Sequence, residues 1–131
     1  MTGNFSIRIE ARFEAAHFLR SYRGVAEPLH GHSYRVEAVL AAKSAGIDDD
    51  SIAVDFVTSK RSLEELARWL DYTCINDVAP FDRINPSAEN IAEWFWSELT
   101  AAVAAEGAVV RSVTVWEGPV NAATFEPQER Q

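Results

Sequence analysis

All three histidines of the chain fall in one short stretch, first His17 and then His30 and His32 on either side of a glycine. Side chains at positions i and i+2 of a strand point to the same face, and a third imidazole can come from a neighbouring strand. Three neutral imidazoles that leave one coordination position open are the ligand set of a catalytic zinc. The spacing therefore predicts that His17, His30 and His32 bind one Zn²⁺ per chain.

Length, charge and cysteine content restrict the class of protein. A chain of 131 residues with 47% hydrophobic residues suits a single domain, 1–131, with a core of its own. The net charge of −8 argues against broad binding to nucleic acids or anionic membranes. No apolar run approaches the ~20 residues that span a bilayer, and the charged start is not a signal peptide. Cys74 is the single cysteine, which excludes an intrachain disulfide and fits a cytoplasmic protein.

The hydrophobic pattern predicts six elements in the order β-β-α-α-β-β. Apolar and polar residues alternate over 5–17, 32–42, 108–116 and 120–125, which is typical of half-buried strands. Apolar residues recur at helical spacing over 58–70 and 88–106, the second helix starting after Ser87 and ending at Gly107. These elements predict an α+β fold, a four-stranded antiparallel sheet with two helices on one face. Oligomerisation is expected to cover the two edges of the sheet.

Five short blocks, in order, resemble the family of 6-pyruvoyltetrahydropterin synthase and 6-carboxytetrahydropterin synthase. They are Phe-Glu-Ala-Ala-His at 13–17, Leu-His-Gly-His-Ser-Tyr at 29–34, Val-Asp-Phe at 54–56, Leu-Asp with Asn-Asp at 70–77, and Asn-Pro-Ser-Ala-Glu-Asn at 85–90. The resemblance extends from Phe5 to Phe125 and implies the tunnelling fold (T-fold). It also implies a homo-hexamer, a dimer of trimers in which three sheets close into a twelve-stranded barrel.

The same resemblance implies a pterin pocket at a subunit interface, with Glu117 as its anchor. A carboxylate can accept two parallel hydrogen bonds from the amino-pyrimidine edge of a pterin. Ser87 has two interpretations, a helix cap or a contact to the pterin of a neighbouring subunit. The implied reaction is that of a zinc-dependent lyase on a dihydroneopterin triphosphate-like substrate, whose side-chain hydroxyls zinc would make more acidic.

Two catalytic positions depart from the family pattern. Ala26 stands where the family has a cysteine base, and Tyr72 follows Asp71 where the family has a histidine. Each positioned acid or base typically contributes about 10²–10⁴-fold in rate. Glu27 is the candidate replacement, because some relatives carry a glutamate there and are thought to form 6-hydroxymethyl-dihydropterin. We therefore take Glu27, Asp71 and Tyr72 as the candidate catalytic residues.

Several alternatives stay open at this point. The chain could be a pterin-binding homologue without synthase activity, or with a different pterin reaction. A general zinc hydrolase would use the three histidines but gives no reason for the other blocks. Cys74 is expected to be a small core residue rather than a nucleophile. Trp116 is expected to point away from Glu117, into the core.

Overall fold

The sheet has the strand order β3-β1-β2-β4-β5 in the computed structural model, which describes residues 3–129. Neighbouring strands are antiparallel, except that β3 runs parallel to β1. The chain also forms two helices, and short 3₁₀ turns follow β3 and α2. The bounds are β1 Ser6–His17, β2 His30–Ala42, α1 Phe56–Leu70, β3 Thr73–Cys74, α2 Ala88–Val103, β4 Ala108–Glu117 and β5 Asn121–Phe125.

The four predicted antiparallel strands are present, but the prediction of a four-stranded sheet omitted β3. This strand has only two residues, which pair with Ala15 and Ala16 of β1. Helix α1 ends at Leu70, and Tyr72 then takes a left-handed conformation, with φ of 57°, that turns the chain along β1. The Tyr72 N–H donates to the Glu14 carbonyl oxygen. Two residues are too few to produce a periodic pattern, so the hydrophobic alternation gave no sign of β3.

Both helices cover the same face of the sheet, as the sequence predicted, and the core lies between them and β1, β2 and β4. The rings of Phe13 and Tyr34 stack at 4.7 Å on neighbouring strands, and Phe95 of α2 packs on Phe13 at 5.8 Å. Alternate residues of each long strand are buried, which is the two-residue period seen in the sequence.

The helix starts are fixed by side-chain caps. Asp55 accepts hydrogen bonds from the N–H groups of Val57 and Thr58 at the start of α1. Ser87 Oγ accepts from the Asn90 N–H at 3.2 Å, so the predicted start of α2 is confirmed. The α-helical part of α2 ends at Val103, and the 3₁₀ turn Ala104–Glu106 continues to Gly107, whose φ is 70°. Neither helix in the described part of the chain is long and apolar enough to cross a membrane.

Trp116 lies on the helix-free face of the sheet, so the prediction that it enters the core was wrong. Val113 and Val115 take the core positions of β4, and the alternation of the strand turns Trp116 to the other side. There its Nε1 donates to Glu37 Oε1 at 2.8 Å, and the Arg35 guanidinium lies 4.7 Å from the centre of its ring. This arrangement is a surface cation–π contact rather than core packing.

Candidate metal centre

The three histidines meet because β1 and β2 are adjacent and in register. His17, the last residue of β1, pairs with His30, the first residue of β2. His32 lies two residues further along β2 and therefore points to the same face as His30. The ring centres of the three side chains lie 4.7 to 5.0 Å apart. One nitrogen of each ring lies within 4.8 Å of the nitrogens of the other two.

The hydrogen bonds of His17 and His30 fix which nitrogen of each ring is free. His17 Nδ1 lies 2.7 Å from the Pro86 carbonyl oxygen, and His30 Nδ1 lies 2.8 Å from the Pro28 carbonyl oxygen. A carbonyl oxygen only accepts, so both Nδ1 atoms carry the proton and both Nε2 atoms present a lone pair. The two Nε2 atoms nevertheless face each other across 3.1 Å. A cation between them, a proton or a metal ion, removes the repulsion of the lone pairs.

His32 completes the cluster with a nitrogen that has no partner of its own. Its Nε2 is buried and accepts or donates no hydrogen bond in the described part of the chain. The pKa of His32 is lowered, mainly because its ring is buried. The carboxylate of Glu117 acts in the opposite direction, and the neighbouring His17 and His30 lower the pKa further. A lowered pKa favours the neutral ring, which is the form that binds a metal.

This donor set fits zinc. Two nitrogens bound to one tetrahedral zinc lie about 3.3 Å apart for Zn–N bonds of about 2.05 Å, close to the separation seen for His17 and His30. Ligand histidines usually donate their other N–H to a backbone carbonyl or a carboxylate, as both rings do here. The unpartnered Nε2 of His32 could supply the third donor.

The segment before α2 holds His17 in place. The Asn85 side chain accepts from the Arg20 N–H at 2.8 Å, and the Asn85 carbonyl oxygen accepts from the Asn90 side chain at 2.9 Å. These bonds fix the position of Pro86, whose carbonyl oxygen meets His17. The block at 85–90 that carries the family resemblance thus acts on the histidine cluster through the backbone.

Glu117, the last residue of β4, lies beside the histidines. Its Oε2 is 3.6 Å from His32 Nε2, and its side chain is 23% exposed. No donor in the described part of the chain lies within hydrogen-bond distance of this carboxylate, so both oxygens can accept from a ligand. Tyr34, which pairs with Glu117 across the strands, has a buried hydroxyl without a partner. Burial raises the pKa of Tyr34 far above its usual value, so the phenol stays a donor.

A cavity of about 550 Å³ opens over this cluster. The residues that line it include His17, His30, Glu117, Glu27 and Ser87, together with the start of β5. The volume is in the range of small-molecule sites. The structure thus brings two of the three predicted metal ligands, the predicted pterin anchor and one predicted catalytic residue to a single cavity, while His32 lines the neighbouring one.

Glu27 is held at the cavity by the loop between β1 and β2. Its Oε1 accepts from the Leu19 N–H at 2.9 Å, and its own N–H donates to the Leu19 carbonyl oxygen at 2.9 Å. These bonds leave Oε2 free for a ligand. Ala26, at the position of the family cysteine, is exposed and offers no proton-transfer group.

Asp71 and Tyr72 do not reach this cavity. Asp71 Oδ1 accepts from the Glu14 N–H at 2.8 Å, which ties the end of α1 to β1. Tyr72 is 85% exposed and lines a second cavity, of about 620 Å³, that His32 also lines. Cys74 lines the same second cavity and is only partly buried, so the prediction that it belongs to the core was wrong.

Three residues that organise the site were not identified from the sequence. The carbonyls of Pro28 and Pro86 fix the histidine tautomers, and no side-chain type reports where a backbone carbonyl will lie. Tyr34 lies two residues after His32 on the same strand, and the alternation of the strand is the signal that could have placed it on the histidine face.

Comparison with known proteins adds evidence on the family of this chain. The family model described as 6-pyruvoyl tetrahydropterin synthase matches residues 6–128. The 6-carboxy-5,6,7,8-tetrahydropterin synthase of Synechocystis is 34% identical over 97 residues, which cover 71% of this chain and 73% of that one.

Solved structures share the fold. The Caenorhabditis elegans 6-pyruvoyl tetrahydropterin synthase superposes with a TM-score of 0.80 at 20% identity, covering 97% of this chain and 98% of that one. A Plasmodium vivax 6-pyruvoyltetrahydropterin synthase, in a variant whose catalytic glutamate is replaced by alanine, gives a TM-score of 0.76 at 20% identity. It covers 97% of this chain and 99% of that one.

Proposed function

Because the chain belongs to the 6-pyruvoyl tetrahydropterin synthase family, we propose that it is a zinc-dependent, pterin-binding lyase. Its substrate would be a dihydroneopterin, of which the triphosphate is the form that the resemblance implies. The observation that carries this proposal is the shared cavity, where His17, His30 and Glu117 converge with a free carboxylate oxygen of Glu27. The lyase would break the bond between the first and second carbons of the side chain on C6, so that the first carbon gains a proton and stays as a hydroxymethyl group while the rest of the side chain leaves as an aldehyde.

In this proposal His17, His30 and His32 hold one zinc ion per chain. Bound zinc would lower the pKa of a substrate hydroxyl at its open coordination position. The chain's own residues orient the histidine rings. The Pro86 and Pro28 carbonyls keep the rings in the tautomer that presents Nε2 to the ion.

Glu117 orients the pterin. Its carboxylate lies at the floor of the cavity, 3.6 Å from His32, and the partly buried position strengthens hydrogen bonds from a ligand. Two parallel bonds to the amino-pyrimidine edge would turn the side chain of the pterin towards the histidines. Ser87 lines the same cavity, and its predicted contact to the pterin stays a prediction beside its role as helix cap.

Glu27 is the proposed general base. One oxygen of its carboxylate is fixed by the Leu19 N–H, which holds the other oxygen at the cavity. A carboxylate beside a substrate hydroxyl can accept its proton. The Plasmodium vivax relative has a catalytic glutamate, which supports glutamate chemistry on this fold.

Asp71 and Tyr72 would serve the reaction in an assembly of several chains. Within one chain they line other cavities than Glu27 does, although Tyr72 shares its cavity with His32. The resemblance implies a hexamer with its pocket at a subunit interface. In that arrangement Tyr72, which is largely exposed, would meet the cavity of a second copy.

Product analysis tests the lyase. We expect the zinc-loaded chain to convert dihydroneopterin or its triphosphate to 6-hydroxymethyl-dihydropterin, and Glu27→Gln to lose turnover by about 10²-fold or more while it still binds pterin. Glu93→Gln, an exposed glutamate on α2, is the matched control. A protein that retains no metal after zinc is supplied would contradict the proposal.

The second candidate is a pterin-binding homologue without synthase activity. It is favoured by Ala26, which removes the usual base, and by the position of Tyr72 outside the cavity. Tight pterin binding without product, lost in Glu117→Ala, would support this candidate over the lyase.

A further inference from the structure

The hydroxyl of Tyr34 is buried beside the histidine cluster without a hydrogen-bond partner. The side chain is 1% exposed, and its hydroxyl neither donates nor accepts in the part of the chain that the structure describes. One chain buries this hydroxyl completely, so a second copy cannot reach it. A buried donor without an acceptor is unfavourable, and we therefore expect it to gain an acceptor in another state of the protein.

Two other buried hydroxyls lack a partner among the described residues, those of Ser59 and Thr100. Both lie on helices, where a rotation of the side chain can bring the hydroxyl to the carbonyl oxygen four residues earlier. Tyr34 lies on strand β2, and its rigid ring is stacked on Phe13 at 4.7 Å. Its hydroxyl has no such local acceptor, so an acceptor has to move towards it.

The Tyr34 ring packs against two of the predicted metal ligands. Its centre lies 5.4 Å from that of His32 and 5.9 Å from that of His17. Tyr34 pairs with Glu117 across β2 and β4, so the two side chains leave the sheet on the same face, with Cβ atoms about 4.5–5.5 Å apart. Burial is the main cause that raises the pKa of Tyr34, and the charges of Glu117 and Glu27 raise it further. The hydroxyl therefore lies in the field of both carboxylates.

Glu117 is the carboxylate that can become the acceptor. Glu27 is held in its loop, because its Oε1 accepts from the Leu19 N–H at 2.9 Å. Glu117 has no such bond, and its Oε2 lies 3.6 Å from His32 Nε2. A histidine nitrogen that serves as a metal ligand carries no proton, so His32 in that role cannot donate to Glu117. The carboxylate can then turn to the next donor on its face, the Tyr34 hydroxyl.

We propose that Tyr34 is a positioning residue of this site, whose hydroxyl donates to the Glu117 carboxylate when His32 serves as a metal ligand. The inference rests on the proposed function, in that it assumes the three-histidine metal site and a pterin at Glu117. A carboxylate has about four lone-pair positions, so it can accept from Tyr34 and still accept two parallel bonds from a pterin. The bond to Tyr34 thus fixes the pterin anchor in a defined orientation and couples it to loading of the metal site.

The zinc affinity of the full chain, measured by competition with a chelating dye, tests this coupling. The hydroxyl gains its acceptor only in the loaded site, so Tyr34→Phe should weaken zinc binding by about tenfold or more, as loss of an outer-sphere partner does. In the background of Glu117→Ala, which removes the acceptor, Tyr34→Phe should change zinc affinity by less than about twofold. A purely structural role of the hydroxyl would affect both backgrounds equally.

A matched control removes a different buried hydroxyl that has no partner. Ser59→Ala does so in the first turn of α1 and should leave zinc affinity within about twofold of that of the natural chain. Urea denaturation of the metal-free variants checks that each is folded.

Binding of neopterin, a non-reacting pterin, gives a second readout. At saturating zinc, Tyr34→Phe should weaken neopterin binding by about fivefold or more, because the anchoring carboxylate loses the bond that orients it. Calorimetry on the zinc-loaded chain measures this change. An unchanged affinity for neopterin would contradict the orienting role of Tyr34.

The remaining outcomes are distinguishable. Equal zinc affinities of the natural chain and Tyr34→Phe would overturn the inference and leave the metal site and the pterin function intact. An equal loss in the presence and absence of Glu117 would also overturn it, because the hydroxyl would then not act through that carboxylate. If the natural chain binds no zinc, the proposed function is wrong and this inference falls with it.

Discussion

His17 and His30 present their Nε2 atoms to each other at 3.1 Å, while the Nδ1 atom of each ring is bonded to a backbone carbonyl oxygen. Each Nδ1 must therefore be the donor to its carbonyl oxygen. Both Nε2 atoms then present lone pairs to each other, whereas a hydrogen bond between them would require a proton on one of the two. The fold places this arrangement at the paired ends of β1 and β2. Two imidazole nitrogens in this arrangement are suited to bind a cation.

Zinc should therefore bind with one ion per chain and stabilise the fold. At a free zinc concentration of one hundred times Kd the gain is about 2.7 kcal/mol, which thermal unfolding with and without chelator would measure. His30→Ala should weaken zinc binding by more than the roughly 10–100-fold that loss of an outer-sphere partner costs. Ser33→Ala, on the helix-free side of β2, is the control and should keep full occupancy. Equal zinc content in both variants would contradict the three-histidine site.

The histidine cluster was predictable because the two-residue period of a strand fixes which side chains share a face. His30 and His32 belong together by spacing alone, and the antiparallel pairing of β1 and β2 brings His17 to them. The partners of the rings were not predictable. The Pro86 carbonyl is 69 residues from His17 in the sequence, and the type of a residue does not indicate where its backbone carbonyl will lie.

In the rest of the fold and site too, the features that a residue pattern indicates were predictable and the others were not. The long strands and both helices carry periodic patterns, whereas β3 is too short to have one. Glu27 was named from its place in the sequence, and the structure brings it to the histidines because Leu19 holds the loop. Tyr72 was named in the same way, but its turn at the end of α1 directs it to a second cavity, which of the three histidines only His32 lines in the described part of the chain.

Removing the Tyr34 hydroxyl should not destabilise the protein without ligand. The hydroxyl is buried and unpartnered, and an unsatisfied buried donor costs about 1–3 kcal/mol. Tyr34→Phe is therefore expected to leave the free energy of unfolding unchanged or to raise it by about 1 kcal/mol, as urea denaturation would show. Tyr34→Leu removes the ring that stacks on Phe13 and should cost about 2 kcal/mol or more. A loss above 1 kcal/mol in Tyr34→Phe would mean that the hydroxyl has a partner inside the protein.

Asp71 should matter for stability before it matters for catalysis. Its carboxylate accepts from the Glu14 N–H, so Asp71→Ala leaves that donor without a partner and should cost about 1 kcal/mol. Asp71→Asn keeps an acceptor oxygen and should cost less. Asp82→Ala, an exposed loop residue, serves as control. A variant Asp71→Ala with unchanged stability and lost turnover would instead place Asp71 in the reaction, through a second copy.

The Asp55 cap gives one part of the acid stability of the protein. The Thr58 hydroxyl, followed by the N–H groups of Val57 and Thr58, lowers the pKa of Asp55 below its usual 3.8. A carboxyl group whose pKa is lowered in the folded state stabilises the fold at pH values above 3.8, and this contribution is lost as the pH falls through the folded pKa.

Asp55→Asn tests the cap, because asparagine also caps helices well but does not titrate. The free energy of unfolding of the natural chain should therefore fall relative to that of Asp55→Asn as the pH falls below about 4. Urea denaturation over this range measures the difference, and Asp49→Asn, exposed in the preceding loop, supplies the comparison. If the difference between natural chain and Asp55→Asn stays constant with pH, the hydrogen bonds to Asp55 do not favour its ionised form, and α1 begins without an electrostatic cap.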